Sequence, residues 1–150
     1  MKYDNLARRE LRSLMFHLLY ALECYEYQVS LESILDDFNR GFELDIPVDS
    51  EAVKVVKSVV DSRLELNNII QKFLSNWRLD RIGVCTRLIL YLSVWEMLNT
   101  DTPPTVVINE AIELAKCFSE TDAYKFINGI LDEIAKKLPE LKSPNTFQLN

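Results

Sequence analysis

The stretch from Arg81 to Leu98, RIGVCTRLILYLSVWEML, is apolar around most of a helical circumference. A helix without a polar face must be covered on nearly all sides, so the rest of the chain has to surround it. The flanking segments supply helices. Leu11, Leu14, Met15, Leu18, Leu22 and Tyr25 recur at steps of three and four, which lays one buried stripe along a first helix. A shorter helix begins after Ser30, an N-cap followed by Glu32 in the first turn, and carries Leu31, Ile34, Leu35 and Phe38 to its end near Gly41. Asp45, Pro47 and Asp49 mark a loop. A third helix is expected from Ser50 to Ser75, with Val53, Val56, Val60, Leu64, Ile70, Phe73 and Leu74 inward. Its paired valines suit a strand locally, but the interleaved Lys54, Lys57, Asp61 and Arg63 keep the helical period. Asn76, Trp77 and Arg78 form a bend before the apolar helix.

Pro103-Pro104 punctuates the chain, and Thr105 is the expected cap of a helix using Val107, Ile108, Ala111, Ile112, Leu114, Ala115 and Phe118. Ser119 and Asp122 fit a capping box for a last helix that places Ala123, Phe126, Ile127, Ile130, Leu131 and Ile134 inward. Gly129 lies inside that pattern at a cost of about 1 kcal/mol relative to alanine. Close helix packing is the preferred explanation, and approach by a ligand or partner backbone the alternative. With only three glycines in 150 residues, the chain is short of the tight turns and phosphate loops of an α/β enzyme. The expected fold is all-α: one domain over residues 1–138, with a flexible tail over 139–150.

No run reaches the roughly 18 apolar residues of a membrane span, and the charged start leaves no room for a signal peptide's apolar core. A cytoplasmic protein is therefore expected, with no membrane contact. Cys24, Cys85 and Cys117 are odd in number and widely spaced among apolar neighbours, as small core residues in a reducing compartment. One histidine and scattered cysteines give no metal spacing, and no cofactor is expected. The net charge of −6 disfavours nonspecific nucleic-acid binding, yet the charge is segregated. Residues 1–12 hold four cations against two acids, whereas residues 23–51 hold nine acids against Arg40. A basic patch on an acidic body is a local anion site.

Arg8, Arg9 and Arg12 fall within one arc of roughly 100° on the first helix, with Phe16 and Tyr20 near the same arc. Guanidinium groups hold phosphates and an aromatic ring stacks an unpaired base. The competing reading is a solvated face with both rings in the core. His17 suits a structural place, and the sequence leaves open whether it packs in the core or meets a ligand. The carboxylates of Glu110 and Glu113, and of Asp132 and Glu133, read as surface charge, because nothing points to a pocket that would perturb them.

The segments INEAIELAK at 108–116 and KFINGILD at 125–132 resemble the hallmark region of the NusB family of bacterial transcription antitermination factors. RIGVCTRLILYLSVWEML is similar to the family's preceding helix. ARRELRSLMFHLLYAL, residues 7–22, is similar to its arginine-rich first helix. The resemblance covers nearly the whole chain and is weakest over residues 27–50. It implies an all-α NusB-like bundle of two packed helical subdomains and no enzyme activity. It also implies binding to boxA-type single-stranded RNA of ribosomal RNA leader transcripts, together with NusE, a small-subunit ribosomal protein. Other Nus factors and RNA polymerase are indirect partners, and the outcome is suppression of premature termination. Arg8, Arg9, Arg12 and Tyr20 fall on the family's RNA-binding positions, and Asp122, Lys125 and Phe126 on a second part of that surface. Thr86 and Arg87 lie in the helix expected to face NusE. The chain departs from the family at Glu10, His17, Thr86, Tyr91 and Ser119.

Two other readings stay open. One is a NusB-fold protein-interaction module with weak or no RNA binding, motivated by Glu10, Thr86 and Tyr91, with a homodimer that hides the arginines as a variant. The other is the RNA-binding portion of a ribosomal RNA methyltransferase, disfavoured by the absence of a Gly-rich cofactor loop and by the length.

Overall fold

The computed structural model describes residues 2–142, and every regular element among them is helical. The chain divides into two compact units, Met1–Ser62 and Arg63–Asn150. No helix among the described residues is long and apolar enough to cross a membrane.

The first unit contains α1 (Arg8–Cys24), α2 (Leu31–Gly41) and α3 (Glu51–Asp61), preceded by a short 3-10 turn at Tyr3–Asn5. Helix α1 packs on both α2 and α3 through its apolar stripe, burying Leu11, Met15, Phe16, Leu18, Leu19 and Leu22. Tyr25, expected at the end of the stripe, instead follows the last turn and is exposed. Ser30 caps α2 as expected, its hydroxyl accepting from the Ser33 N–H at 3.1 Å. Ser50 does the same for α3 through the Val53 N–H at 3.4 Å. The connecting loop is tied down by side chains: Asn39 donates to the Ile46 carbonyl at 3.1 Å and accepts from its N–H at 2.9 Å. The Tyr3 hydroxyl accepts from the Ala52 N–H at 3.2 Å, while the Tyr3 N–H donates to Asp45 at 2.7 Å. These bonds hold the approach to α1 against the start of α3. Between α2 and α3, Lys57 reaches the Glu32 carboxylate at 2.7 Å and holds its pKa below the ordinary value. That small contribution is present at neutral pH and is lost as the pH falls through the lowered pKa.

The second unit contains α4 (Arg63–Gln71), α5 (Val84–Asn99), α6 (Pro104–Phe118), α7 (Ala123–Lys136) and the short α8 (Leu138–Leu141). Helix α5 is central as expected, packed by α4, α6, α7 and α8. Leu88, Ile89, Leu90 and Val94 are fully buried on it, and Tyr91 is buried with its hydroxyl donating to Asn67 of α4. Gln71 anchors the bend before α5, donating to the Trp77 carbonyl at 2.8 Å and accepting from the Leu79 N–H at 2.9 Å. Helix α8 continues past Pro139, where the expected tail begins. Residues 143–150 of that tail lie outside the described residues.

Five local expectations are corrected. The single helix over 50–75 is two, broken at Ser62, whose N–H turns back to the carbonyls of Ser58, Val59 and Val60. The break resets the helical phase, so Leu66, Ile69 and Ile70 point inward while Leu64 is 73% exposed. Thr105 does not cap α6, because Pro104 takes the first helical position, where a missing N–H costs no bond. Ser119 closes α6 rather than opening α7, which starts at Asp122 in the left-handed region with φ 69°. Cys24 and Cys117 sit at the outer ends of their helices and are exposed, and Cys85 is half-buried, so none is a core residue. A side chain at Gly129 would meet nothing within 4 Å, so packing inside the chain does not explain that glycine.

The contrast between Leu90 and Leu64 is measurable. Leu90→Ala is expected to lower unfolding stability by about 3 kcal/mol, because it opens a cavity in a fully packed site. Leu64→Ala is expected to change it by about 0.5 kcal/mol or less. Denaturant titration followed by helical circular dichroism checks both.

Candidate nucleic-acid interface

In the first unit, α1 presents Arg8 and Arg9 exposed and Arg12 half-buried. The two aromatic residues on this arc part company: Phe16 is 3% exposed and belongs to the core, while Tyr20 is 42% exposed. Their rings lie nearly parallel, at a centroid distance of 6.3 Å and an angle of 24°. An exposed ring beside arginines is a platform on which an unpaired base can stack. The Arg8 guanidinium lies 3.3 Å from the Glu51 carboxylate of α3, with both side chains more than half exposed. An exposed pair of this kind contributes at most about 1 kcal/mol.

Glu10, which departs from the family pattern, has a local role: its carboxylate accepts from the Ala7 N–H at 3.1 Å. It thereby satisfies a backbone donor at the start of α1 and places negative charge at the positive end of the helix. His17 is exposed rather than buried in the core, with Nδ1 2.7 Å from the Ser13 carbonyl and its ring edge-on to Phe16 at 5.6 Å.

In the second unit, the α6–α7 connection gathers another group. Asp122 precedes α7 and lies 3.7 Å from Lys125, both exposed, and Phe126 is half-buried behind them. Sequence reasoning missed two neighbours. The Tyr124 ring lies under the ammonium groups of both Lys116, at 5.1 Å, and Lys125, at 6.0 Å. Tyr124 stands next to Lys125 in the sequence, but Lys116 reaches it only after α6 and α7 fold against each other, and no linear pattern signals that.

The two residues expected to meet a protein partner differ in accessibility. Thr86 is 4% exposed, and its hydroxyl donates to Ser119 at 3.3 Å, so it ties α5 to the end of α6. Arg87 is half-buried and lines a polar cleft with Asn67, Asn68, Gln71 and Arg78. The structure brings Arg8, Arg9, Arg12 and Tyr20 together on α1 of the first unit. Asp122, Lys125 and Phe126 come together in the second. Among the described residues, no group of three or more His, Cys, Asp or Glu could hold a metal ion.

An all-helical fold that displays arginines beside an exposed, stacked tyrosine defines a helical protein with basic, aromatic faces. The NusB family model matches residues 9–136. A transcription antitermination protein NusB from Macrococcus caseolyticus is 37% identical over 135 residues, spanning 87% of this chain and 98% of the relative. One from Anaeromyxobacter dehalogenans is 39% identical over 119 residues, spanning 77% and 84%. Among solved structures, T. maritima NusB superposes with a TM-score of 0.78 at 31% identity, covering 99% of this chain and 100% of that one. A chain in a crystal structure described as a plectonemic RNA supercoil gives 0.74 at 27% identity, covering 86% and 94%. The chain belongs to the NusB family of transcription antitermination proteins.

The cap at Glu10 separates its structural and electrostatic parts. Glu10→Gln keeps an acceptor for the Ala7 N–H and is expected to leave thermal stability nearly unchanged. Glu10→Ala removes the acceptor and is expected to cost about 1 kcal/mol. Thermal and denaturant melts of the two variants check this.

Proposed function

We propose that this protein is an antitermination factor that binds boxA-type single-stranded RNA of ribosomal RNA leader transcripts together with NusE and suppresses premature termination. It acts in the cytoplasm, without enzymatic chemistry of its own, and meets the other Nus factors and RNA polymerase through that complex. The observation that carries the reading is the face of α1, where Arg8, Arg9 and Arg12 stand with the exposed ring of Tyr20 on an otherwise acidic protein. Guanidinium groups supply the phosphate contacts and the ring supplies stacking, a combination that suits a flexible single strand. Asp122, Lys125 and Phe126 contribute a second group of RNA contacts. The RNA in the crystal that yielded one of the similar chains supports the same reading.

A net charge of −6 fits this function when binding depends on a few placed cations. The protein alone binds weakly, and a basic partner on the same strand adds contacts that raise the effective affinity. Arg87 is the more accessible of the two residues proposed for NusE, since Thr86 is engaged inside the unit.

Replacing Arg8, Arg9 and Arg12 together by alanine is expected to weaken boxA RNA binding at least tenfold. It should also flatten the salt dependence by about 0.7 log units per lost single-strand phosphate contact. Thermal stability should stay within a few degrees of the parent. Unchanged RNA affinity in the triple variant would remove α1 from the site and favour a protein-interaction module.

A further inference from the structure

The second unit contains a cleft of about 280 Å³ lined by Trp77, Arg81, Gly83, Thr86, Glu120 and Phe126, among others. The volume is at the small end of ligand sites, suited to one planar ring system. Its aromatic walls differ in exposure: Trp77 is 63% exposed, and Phe126 is half-buried. Glu120 is exposed, and its carboxylate occupies the space beside Gly83, where a Cβ would stand 2.5 Å from Oε1. The glycine therefore leaves room for an acceptor pair at the wall of the cleft. Arg81, also exposed, supplies a cation at the same cleft.

We propose that this cleft takes a single guanine base of the bound RNA, stacked against Trp77, with its Watson–Crick edge donating to the Glu120 carboxylate. The inference rests on the RNA-binding reading and extends it to base specificity. Guanine presents two adjacent donors on that edge, N1–H and the N2 amino group, and a carboxylate offers two adjacent acceptors. Arg81 neutralises a flanking phosphate and offsets the repulsion between Glu120 and the RNA backbone. Phe126, already assigned to the RNA surface, makes the cleft continuous with it. A cationic side chain of a protein partner is the alternative occupant, but Arg81 opposes it.

The test uses the full chain and a uridine decamer with a single central guanine, compared with the same decamer carrying adenine or inosine. Trp77 fluorescence reports stacking, with Trp77→Phe as the control for the other tryptophan. The expected result is quenching and about tenfold tighter binding for guanine, with inosine intermediate because it lacks the N2 amino group. Glu120→Gln exchanges one acceptor for a donor, so it can hold guanine only through N1–H and O6, which inosine shares, and can also pair with adenine; the variant should lose the preference for guanine over inosine and admit adenine. Equal affinities for the three decamers, or an unchanged guanine preference in Glu120→Gln, would overturn the proposal. So would a Glu120→Gln effect confined to NusE binding, which would make the cleft a protein-docking site. The triple arginine variant separates the levels. If it loses boxA binding while Glu120→Gln does not alter base preference, the RNA reading stands and the guanine site falls.

Discussion

Helix α5 has almost no face that tolerates water, and the second unit is organised by that constraint. Leu88, Ile89, Leu90 and Val94 point in different directions around the helix and are all fully buried. Such burial requires cover on every side, which α4, α6, α7 and α8 provide. Two polar residues of α5 are accommodated by pairing rather than by exposure: Thr86 donates to Ser119, and Tyr91 to Asn67. The Thr86 bond joins the core helix to the α6–α7 connection, where Asp122, Tyr124 and Lys125 are displayed. The residues proposed for RNA contact in this unit are thus held by the same helix that forms its core.

The first unit solves a different problem, which is to keep one helix half buried and half available. Six apolar residues of α1 are buried against α2 and α3, while Arg8, Arg9 and Tyr20 remain outside. Phe16 links the two halves, since it belongs to the core and stacks on the exposed tyrosine. Glu10 reduces the local positive charge but satisfies the Ala7 N–H, so the start of the arginine helix is fixed rather than frayed. The acidic composition and the basic patch are compatible because three of the 17 lysines and arginines, Arg8, Arg9 and Arg12, stand together on α1.

Much of the fold was legible in the sequence because helical apolar period is a local property. The stripes of α1, α2, α5, α6 and α7 and the cap at Ser30 follow from spacing and residue type. The break at Ser62 was not legible, since serine is a weak helix breaker and the apolar pattern resumes at once with a shifted phase. Ser119 and Asp122 read as one capping box in the sequence because the same residue types also serve a helix end and a left-handed entry. On the site, arc arithmetic placed Phe16 and Tyr20 together and could not tell which would lie at the edge of the core. The resemblance supplied Asp122, Lys125 and Phe126. The lysine pair over Tyr124 and the cleft at Glu120 exist only once distant segments have folded together.

In the function proposed above, an acidic helical protein recognises one kind of single strand through a few placed side chains, with help from a basic partner. Titrating labelled boxA RNA with this protein, alone and with its cognate NusE, against a scrambled RNA at the same salt tests it most directly. Selective binding of boxA RNA that tightens when NusE is present is the expected result. Equal binding of both RNAs, with and without NusE, would contradict it.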